Sequence, residues 1–525
     1  MKKVLLFLGL SCMFFGAIGQ QVYLISFDEK EQEFDPYAWF DPHAIQRKLN
    51  KGLPIFDEKD LPIKPSYLAK ISQKVHNLRH SLRWFNAVSV EAYPEQLEEI
   101  AAYNWVIGIE ELCPSLIPAS IQSPFEVRDD TLLQMVRQQL ELDSLAAAGL
   151  SGKGVRMAIF DVGFKELPSH PSTRHLWKEG QIIRTKDFYQ ADSGVYHHDM
   201  HGTQVLACVA GRYKGRELGA GRDVKFMLAR TEHKIKEKPI EEDHWLAAMQ
   251  WADRHGADII QSSLGYTDKR YTYEEMDGRS TLVSRAAKMA ADKGILVIVS
   301  NGNEGADKWR YLGAPADVPE VLSVGSSFPF LKRKMPYSSY GPNAMKQTKP
   351  DVVAPGFVIG PGKRGTYDEI AGTSFATPLV AGMAACLLEK NPSLRPNEVI
   401  DMFHQLGHLY PYYDYAMGYG VPQATRMLTK HVLVDTLSAF SIEHKGDTLF
   451  LYPSQDMIED SLQYPFGVPF HIHVEDSTGF LTLYSTSVIE KESPSAGLIK
   501  IPRDYGLKGM LRIWFGGDLF EEKWD

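Results

Sequence analysis

Cysteine is scarce, with four residues in 525. That excludes a scaffold built on disulfides, because such scaffolds need several cross-links to replace a core. Basic charge is not in excess either. Lys and Arg total 57 against 66 Asp and Glu, a net charge of −9 with neutral histidines. The chain therefore lacks the basic surplus that sequence-independent nucleic-acid binding requires. Beyond the N-terminus no stretch approaches the roughly 18 consecutive apolar residues of a membrane-spanning helix. Low-complexity tracts and repeats with periods of about 20–50 residues are absent as well. What is present is ordinary globular composition, 44% hydrophobic and 23% charged. At about 150 residues per domain, the length suits three to four units.

The first residues stand apart. Met1-Lys2-Lys3 precedes an apolar run from Val4 to Ile18, which closes on Ala17-Ile18-Gly19 before Gln20-Gln21. A charged start, a short apolar core and small residues at the end read as a secretory signal peptide over 1–19. Cys12 lies inside the run, and Gly9-Leu10-Ser11-Cys12 fits a lipoprotein signal poorly. The protein is therefore expected to be exported (secreted, at the cell surface or periplasmic), with no stable membrane span once the signal is removed. Cys113, Cys208 and Cys386 remain, and an odd number leaves at least one thiol unpaired. Cys208 and Cys386 fall on small-residue helices and read as buried thiols; a bridge between them would need Cα atoms within about 7 Å.

Between 20 and 125 the pattern is that of a small α+β unit. Val22–Phe27, 82–92 and Val106–Ile109 read as strands, and 94–103 as a helix with Pro94 at its start. Residues 113–132 read as a linker. From Gly154 the pattern changes to near-continuous apolar runs at 155–160, 224–228, 259–260, 295–299 and 321–324, with helices at 242–255, 280–293 and 374–389 between them. Such alternation predicts a doubly wound, mainly parallel α/β sheet over 133–430, with ligands at the C-terminal strand ends. Trp245, Ala248 and Trp251 place one face of 242–255 in the core. Residues 431–525 show short runs at 448–451, 470–474, 481–483, 497–501 and 510–515, which predict a C-terminal β-sandwich.

Four local sequences carry chemistry. Asp161 follows a buried strand in Phe160-Asp161-Val162-Gly163, and His201 opens a helix in His201-Gly202-Thr203. Ser374 starts another in Gly372-Thr373-Ser374-Phe375-Ala376-Thr377-Pro378, and Asn303 follows a strand in Gly302-Asn303-Glu304-Gly305. A serine hydroxyl needs a base to take its proton, and histidine suits that task at neutral pH. A carboxylate fixes the imidazole tautomer, and amide donors stabilise the oxyanion of a tetrahedral intermediate. Each motif alone is commonly a cap or a turn; the combination, in this order and at these positions, is specific.

Over 138–428 these motifs resemble the subtilisin-like serine proteases, peptidase family S8, and the arrangement is similar to exported Bacteroidetes members. Ser262-Ser263-Leu264-Gly265, Lys349-Pro350-Asp351-Val352-Val353-Ala354-Pro355-Gly356 and Gly418-Tyr419-Gly420-Val421-Pro422 add to the likeness. The resemblance implies a serine endopeptidase with Asp161 orienting His201, His201 as base and Ser374 as nucleophile. Asn303 and the Ser374 amide would form the oxyanion hole, and Ser263, Leu264 and Gly265 would pair with the substrate backbone. It implies an N-terminal propeptide acting as intramolecular inhibitor of a zymogen, polypeptide substrates and no cofactor for catalysis. Structural Ca²⁺ is part of the expectation without assigned ligands, and no catalytic metal is expected; His197-His198-Asp199 reads as a loop. Val162 and Gln204 depart from the commoner residues at their positions. The C-terminal unit resembles either a sorting domain or a plain accessory sandwich. The alternative is a catalytically silent binding protein on the same fold; an esterase would place its nucleophile before the acid and base.

Overall fold

The computed structural model describes residues 21–112, 129–190, 194–232, 242–267, 270–429, 439–446, 448–454, 469–488, 499–502 and 509–524. The expected signal peptide, Cys113 and most of the expected linker lie outside these residues.

The centre is a seven-stranded parallel sheet in the order Val352–Pro355, Leu322–Ser327, Leu296–Ser300, Ile259–Ser262, Arg156–Asp161, Lys225–Arg230 and Ile182–Asp187. Its inner strands are mostly apolar and buried because helices cover both faces, whereas the edge strand Ile182–Asp187 is largely exposed. The strand order reverses direction between Arg156–Asp161 and Ile259–Ser262, so a crevice opens at their C-terminal ends. The 18-residue helix Thr373–Lys390 runs through the core with nearly every side chain buried. Trp245 is fully buried, and its indole N–H donates to Ser262 Oγ at 3.1 Å. The helix expected at 242–255 is thus a core helix. Among the described residues no helix is long and apolar enough to cross a membrane.

Two antiparallel sheets stand C-terminal to this core. Residues from both, including Leu449, Leu451, Phe470, Val474, Leu511 and Phe515, share one buried cluster, which makes the sandwich. The run expected at 497–501 is a strand at Ile499–Pro502.

The N-terminal unit is a four-stranded antiparallel sheet in the order Asn77–Leu82, Ala87–Ala92, Gln21–Phe27, Val106–Leu112. The single strand expected over 82–92 is a correction. Residues Arg83–Phe85 form a helical turn, and Asn86 takes a left-handed conformation at φ 49°, so the chain reverses and two strands pair. Asn86 tolerates that conformation because its side chain donates to Phe27 O at 2.8 Å. The expected linker is also shorter at its C-terminal end, since Asp129–Leu140 is helical.

This unit is docked on the helix Glu242–Arg254 through polar groups. Arg79 donates to both carboxylate oxygens of Asp243, at 2.7 and 3.1 Å, and to His244 Nε2 at 2.8 Å. Arginine only donates, so His244 carries its proton on Nδ1 and passes it to His80 Nε2, 2.7 Å away. The segment 28–64 adds Arg47 against Asp253 and Lys293 against Asp57 and Asp60, all of these cations being buried. His80, Asp243 and His244 are the one group of metal-ligand type found among the described residues. Its two nitrogen donors do not suit Ca²⁺, which takes oxygen ligands, and the Arg79 guanidinium already supplies the positive charge there.

This hydrogen-bond relay requires neutral histidines. Burial holds His80 down to about 4 and His244 down to about 3, against 6.5 when free. Arg79, Lys186 and Arg230 face the pair with positive charge; Asp243 and Glu91 face it with negative charge, and Tyr189 packs on His244. Histidines freed by separation protonate below about 6.5, whereas docked ones do not. The histidines' contribution to docking is therefore fully present above that pH and is lost as pH falls toward 4. After cleavage of the connecting chain, affinity of the two pieces should drop at least about tenfold between pH 7 and pH 5. Titration calorimetry of the separated pieces measures this, and His80→Phe should flatten the dependence.

Candidate active site

Asp161 ends the strand Arg156–Asp161, fully buried, and its carboxylate accepts the Val162 backbone N–H at 2.8 Å. His201 opens the helix His201–Ala210, where Asp199 Oδ1 accepts its backbone N–H at 2.9 Å. Asp199 of the His197-His198-Asp199 stretch thus anchors the helix start. The His201 Nδ1 atom lies 2.9 Å from each oxygen of Asp161. A carboxylate offers only lone pairs, so the imidazole proton sits on Nδ1 and Nε2 is left as the basic nitrogen.

The close approach of these two segments depends on glycine. Gly202 N donates to Gly163 O at 3.0 Å. A Cβ at Gly202 would fall 2.5 Å from that same oxygen, and one at Gly163 would fall 2.7 Å from Asp199 N. Gly163 also has φ 151°, a conformation other residues rarely adopt. Any side chain at either position would push His201 away from Asp161.

Ser374 is the second residue of the helix Thr373–Lys390 and is buried. The His201 ring packs 5.6 Å from the ring of Phe375, the next residue along. Pro378 stands where its missing N–H would have met the Ser374 carbonyl. The Ser263 hydroxyl takes that place, donating to Ser374 O at 2.9 Å, while Ser374 Oγ donates to Ser263 O at 3.3 Å. The Ser263-Leu264-Gly265 segment is thereby fixed beside the serine. Tyr266, just after it, forms a two-way backbone bridge with Ala314.

Asn303 is pinned from the serine side. Thr373 N–H and the Thr373 hydroxyl both donate to Asn303 Oδ1, each at 3.0 Å. The amide oxygen is the held end, so the NH₂ group is its donor end. Ser339 Oγ donates to the buried Glu304 carboxylate at 2.9 Å and accepts the Glu304 backbone N–H at 3.0 Å, which fixes the loop that carries Asn303.

The structure thus joins His201 to Asp161, Ser374 to Ser263 and, through Thr373, Asn303 to the helix that starts at Ser374, with the His201 ring against the neighbouring Phe375. Cys208 and Cys386 are buried free thiols, not a bridge; burial raises both, Cys386 to about 12, which disfavours the reactive thiolate. Sequence reasoning missed Thr373 as the residue that orients Asn303, and it missed Glu232. Glu232 follows the strand Lys225–Arg230, whose last residue pairs with Asp161, and it is buried with Tyr266 OH donating to Oε1 at 2.8 Å. The signal was available: an acid just past a buried strand, the same cue that marked Asp161.

Residues 22–123 match the Peptidase S8 propeptide domain, Bacteroidota. The serine protease AprX of Bacillus subtilis is 30% identical over 284 residues, covering 48% of this chain. The chain spans 61% of the length of that relative. M-protease of Shouchella clausii is 27% identical over 391 residues, covering 71% of this chain and 83% of that protein. Fervidolysin of Fervidobacterium pennivorans, a solved structure, shares the fold with a TM-score of 0.56 at 18% identity, covering 95% of this chain and 71% of its own. Residues 152–436, more than half of the sequence, match the subtilase family, and the chain belongs to that family.

Proposed function

We propose that this chain is an exported serine endopeptidase, made as a zymogen, that cleaves polypeptides through an acyl-enzyme on Asp161, His201 and Ser374. The observation that carries it is the Asp161–His201 pair at 2.9 Å, set beside a helix whose first turn presents Ser374 and holds Asn303 through Thr373. His201 Nε2 takes the Ser374 proton as Oγ attacks the scissile carbonyl. Charge that develops on the carbonyl oxygen is met by the Asn303 NH₂ group and the Ser374 amide at the helix start. The imidazolium, stabilised by Asp161, then protonates the leaving amine, and water resolves the ester by the reverse route. Every step uses side chains and backbone of this chain, so catalysis needs no cofactor.

The substrate strand would pair along Ser263, Leu264 and Gly265, adding to a backbone edge already fixed beside the serine. The N-terminal unit, 20–125, would serve as intramolecular inhibitor; its match to a propeptide domain and its docking on the catalytic unit support that role. The signal-like 1–19 supports export. The catalytic unit would run over 133–430, with 431–525 as an accessory or sorting unit.

A fluorophosphonate probe on the purified, processed protein tests the reading. Labelling should be stoichiometric, and peptide mass mapping should place the adduct on Ser374. Absence of labelling in correctly folded protein would favour the silent binding protein instead.

A further inference from the structure

Glu232 is a buried acid that the proposed mechanism leaves unused. It is 3% exposed, and among the described residues its hydrogen-bond partner is Tyr266 OH. Among the described residues no cation forms an ion pair with it. Arg230, two residues earlier, is committed to Asp187 at 2.9 Å and to Val162 O, and Arg270 is committed to Glu242 at 2.6 Å. Taking a carboxylate out of water without a partner charge is costly, and the group responds by holding its proton. Burial, with the Asp161 charge added, raises the Glu232 carboxyl well above the usual carboxylate range. An acid in this condition is poised to ionise when a cation arrives.

Its position says where the cation comes from. The residue before it, Thr231, donates its backbone N–H to Asp161 O at 3.1 Å, so Glu232 lies at the sheet end that carries Asp161. Its hydrogen-bond donor, Tyr266, directly follows the Ser263–Gly265 segment along which a substrate strand would lie. Glu232 therefore stands between the Asp161 strand end and that segment.

We infer that Glu232 is a specificity determinant that receives the ammonium or guanidinium of a Lys or Arg side chain, carried by one of the few substrate residues before the cleaved bond. The inference rests on the peptidase reading above. A bound cation would pair with the ionised carboxylate in a site of low polarity, with Tyr266 OH holding the second lobe of the acid in place. Charge-assisted bonds of this kind are the strong ones.

The test is cleavage of a positional peptide library by the processed protein and by Glu232→Gln, Glu232→Asp and Glu232→Leu variants. The wild type should favour Lys or Arg at one position before the cut over Gln or Met there. Glu232→Gln keeps the shape and an acceptor for Tyr266, and it should lower that preference in kcat/KM by about 10- to 100-fold, chiefly through KM. Glu232→Asp should restore part of it. The wild-type preference should also strengthen as pH rises from 6 to 8, and in Glu232→Gln it should not. A wild type that cleaves without basic preference, or a preference unchanged in Glu232→Gln and Glu232→Leu, overturns the inference and leaves the peptidase reading standing. A wild type that cleaves nothing, with no fluorophosphonate adduct, overturns both.

Discussion

Ser374→Ala should abolish hydrolysis, with a loss of about 10⁶-fold in kcat, because the group that forms the covalent bond is gone while binding survives. Residual turnover of roughly 10³-fold over water would come from the oxyanion donors and positioning alone. The variant should fold, since Ser374 is small and its carbonyl keeps the Ser263 hydroxyl at 2.9 Å. A second readout follows from the zymogen proposal. The wild type should separate its N-terminal unit from the rest, and Ser374→Ala should remain a single uncut chain. Casein hydrolysis and electrophoresis of the exported protein measure both. Undiminished casein hydrolysis would show that Ser374 is not the nucleophile.

Asp161→Asn should cost about 10⁴-fold in kcat, with little change in the fold. The reason lies in the hydrogen bonds around the carboxylate. Val162 N–H donates to Asp161 Oδ1 at 2.8 Å, so an asparagine would keep its oxygen there. Its NH₂ would then occupy the Oδ2 position, 2.9 Å from His201 Nδ1, while the oxygen at the Oδ1 position, also 2.9 Å from Nδ1, is already engaged by the Val162 N–H. Two donors cannot face each other, so the imidazole would move its proton to Nε2. Nε2 could no longer accept the serine proton. Activity should recover partly at high pH, where the serine needs less help, and a kcat–pH profile checks this. A variant with an unchanged profile would show that Asp161 does not set the tautomer.

Much of this protein could be read from the chain before folding. Asp161, His201, Asn303 and Ser374 were each visible as reactive or amide residues at a strand end or helix start. Five of the seven parallel strands were visible as apolar runs, because a sheet covered on both faces has no polar face to alternate. The edge strand Ile182–Asp187 was not visible: it reads Ile-Ile-Arg-Thr-Lys-Asp, with solvent on one side, and its sequence carries no run. The turn at Arg83–Phe85 was hidden for a different reason, since its flanking residues form one β-prone stretch and only the Asn86 conformation breaks it.

Residue type and order along the chain determined the family pattern and the identity of the reacting groups, because those depend on chemistry carried by single side chains. Only the tertiary structure decided what each group touches. The Asp161–His201 pairing, the Ser263 hydroxyl filling the gap left by Pro378, the Arg79–His244–His80 relay and the Tyr266–Glu232 hydrogen bond all join residues far apart in sequence. Such contacts leave no local periodicity to read, since they arise from how strands and helices pack after each has formed.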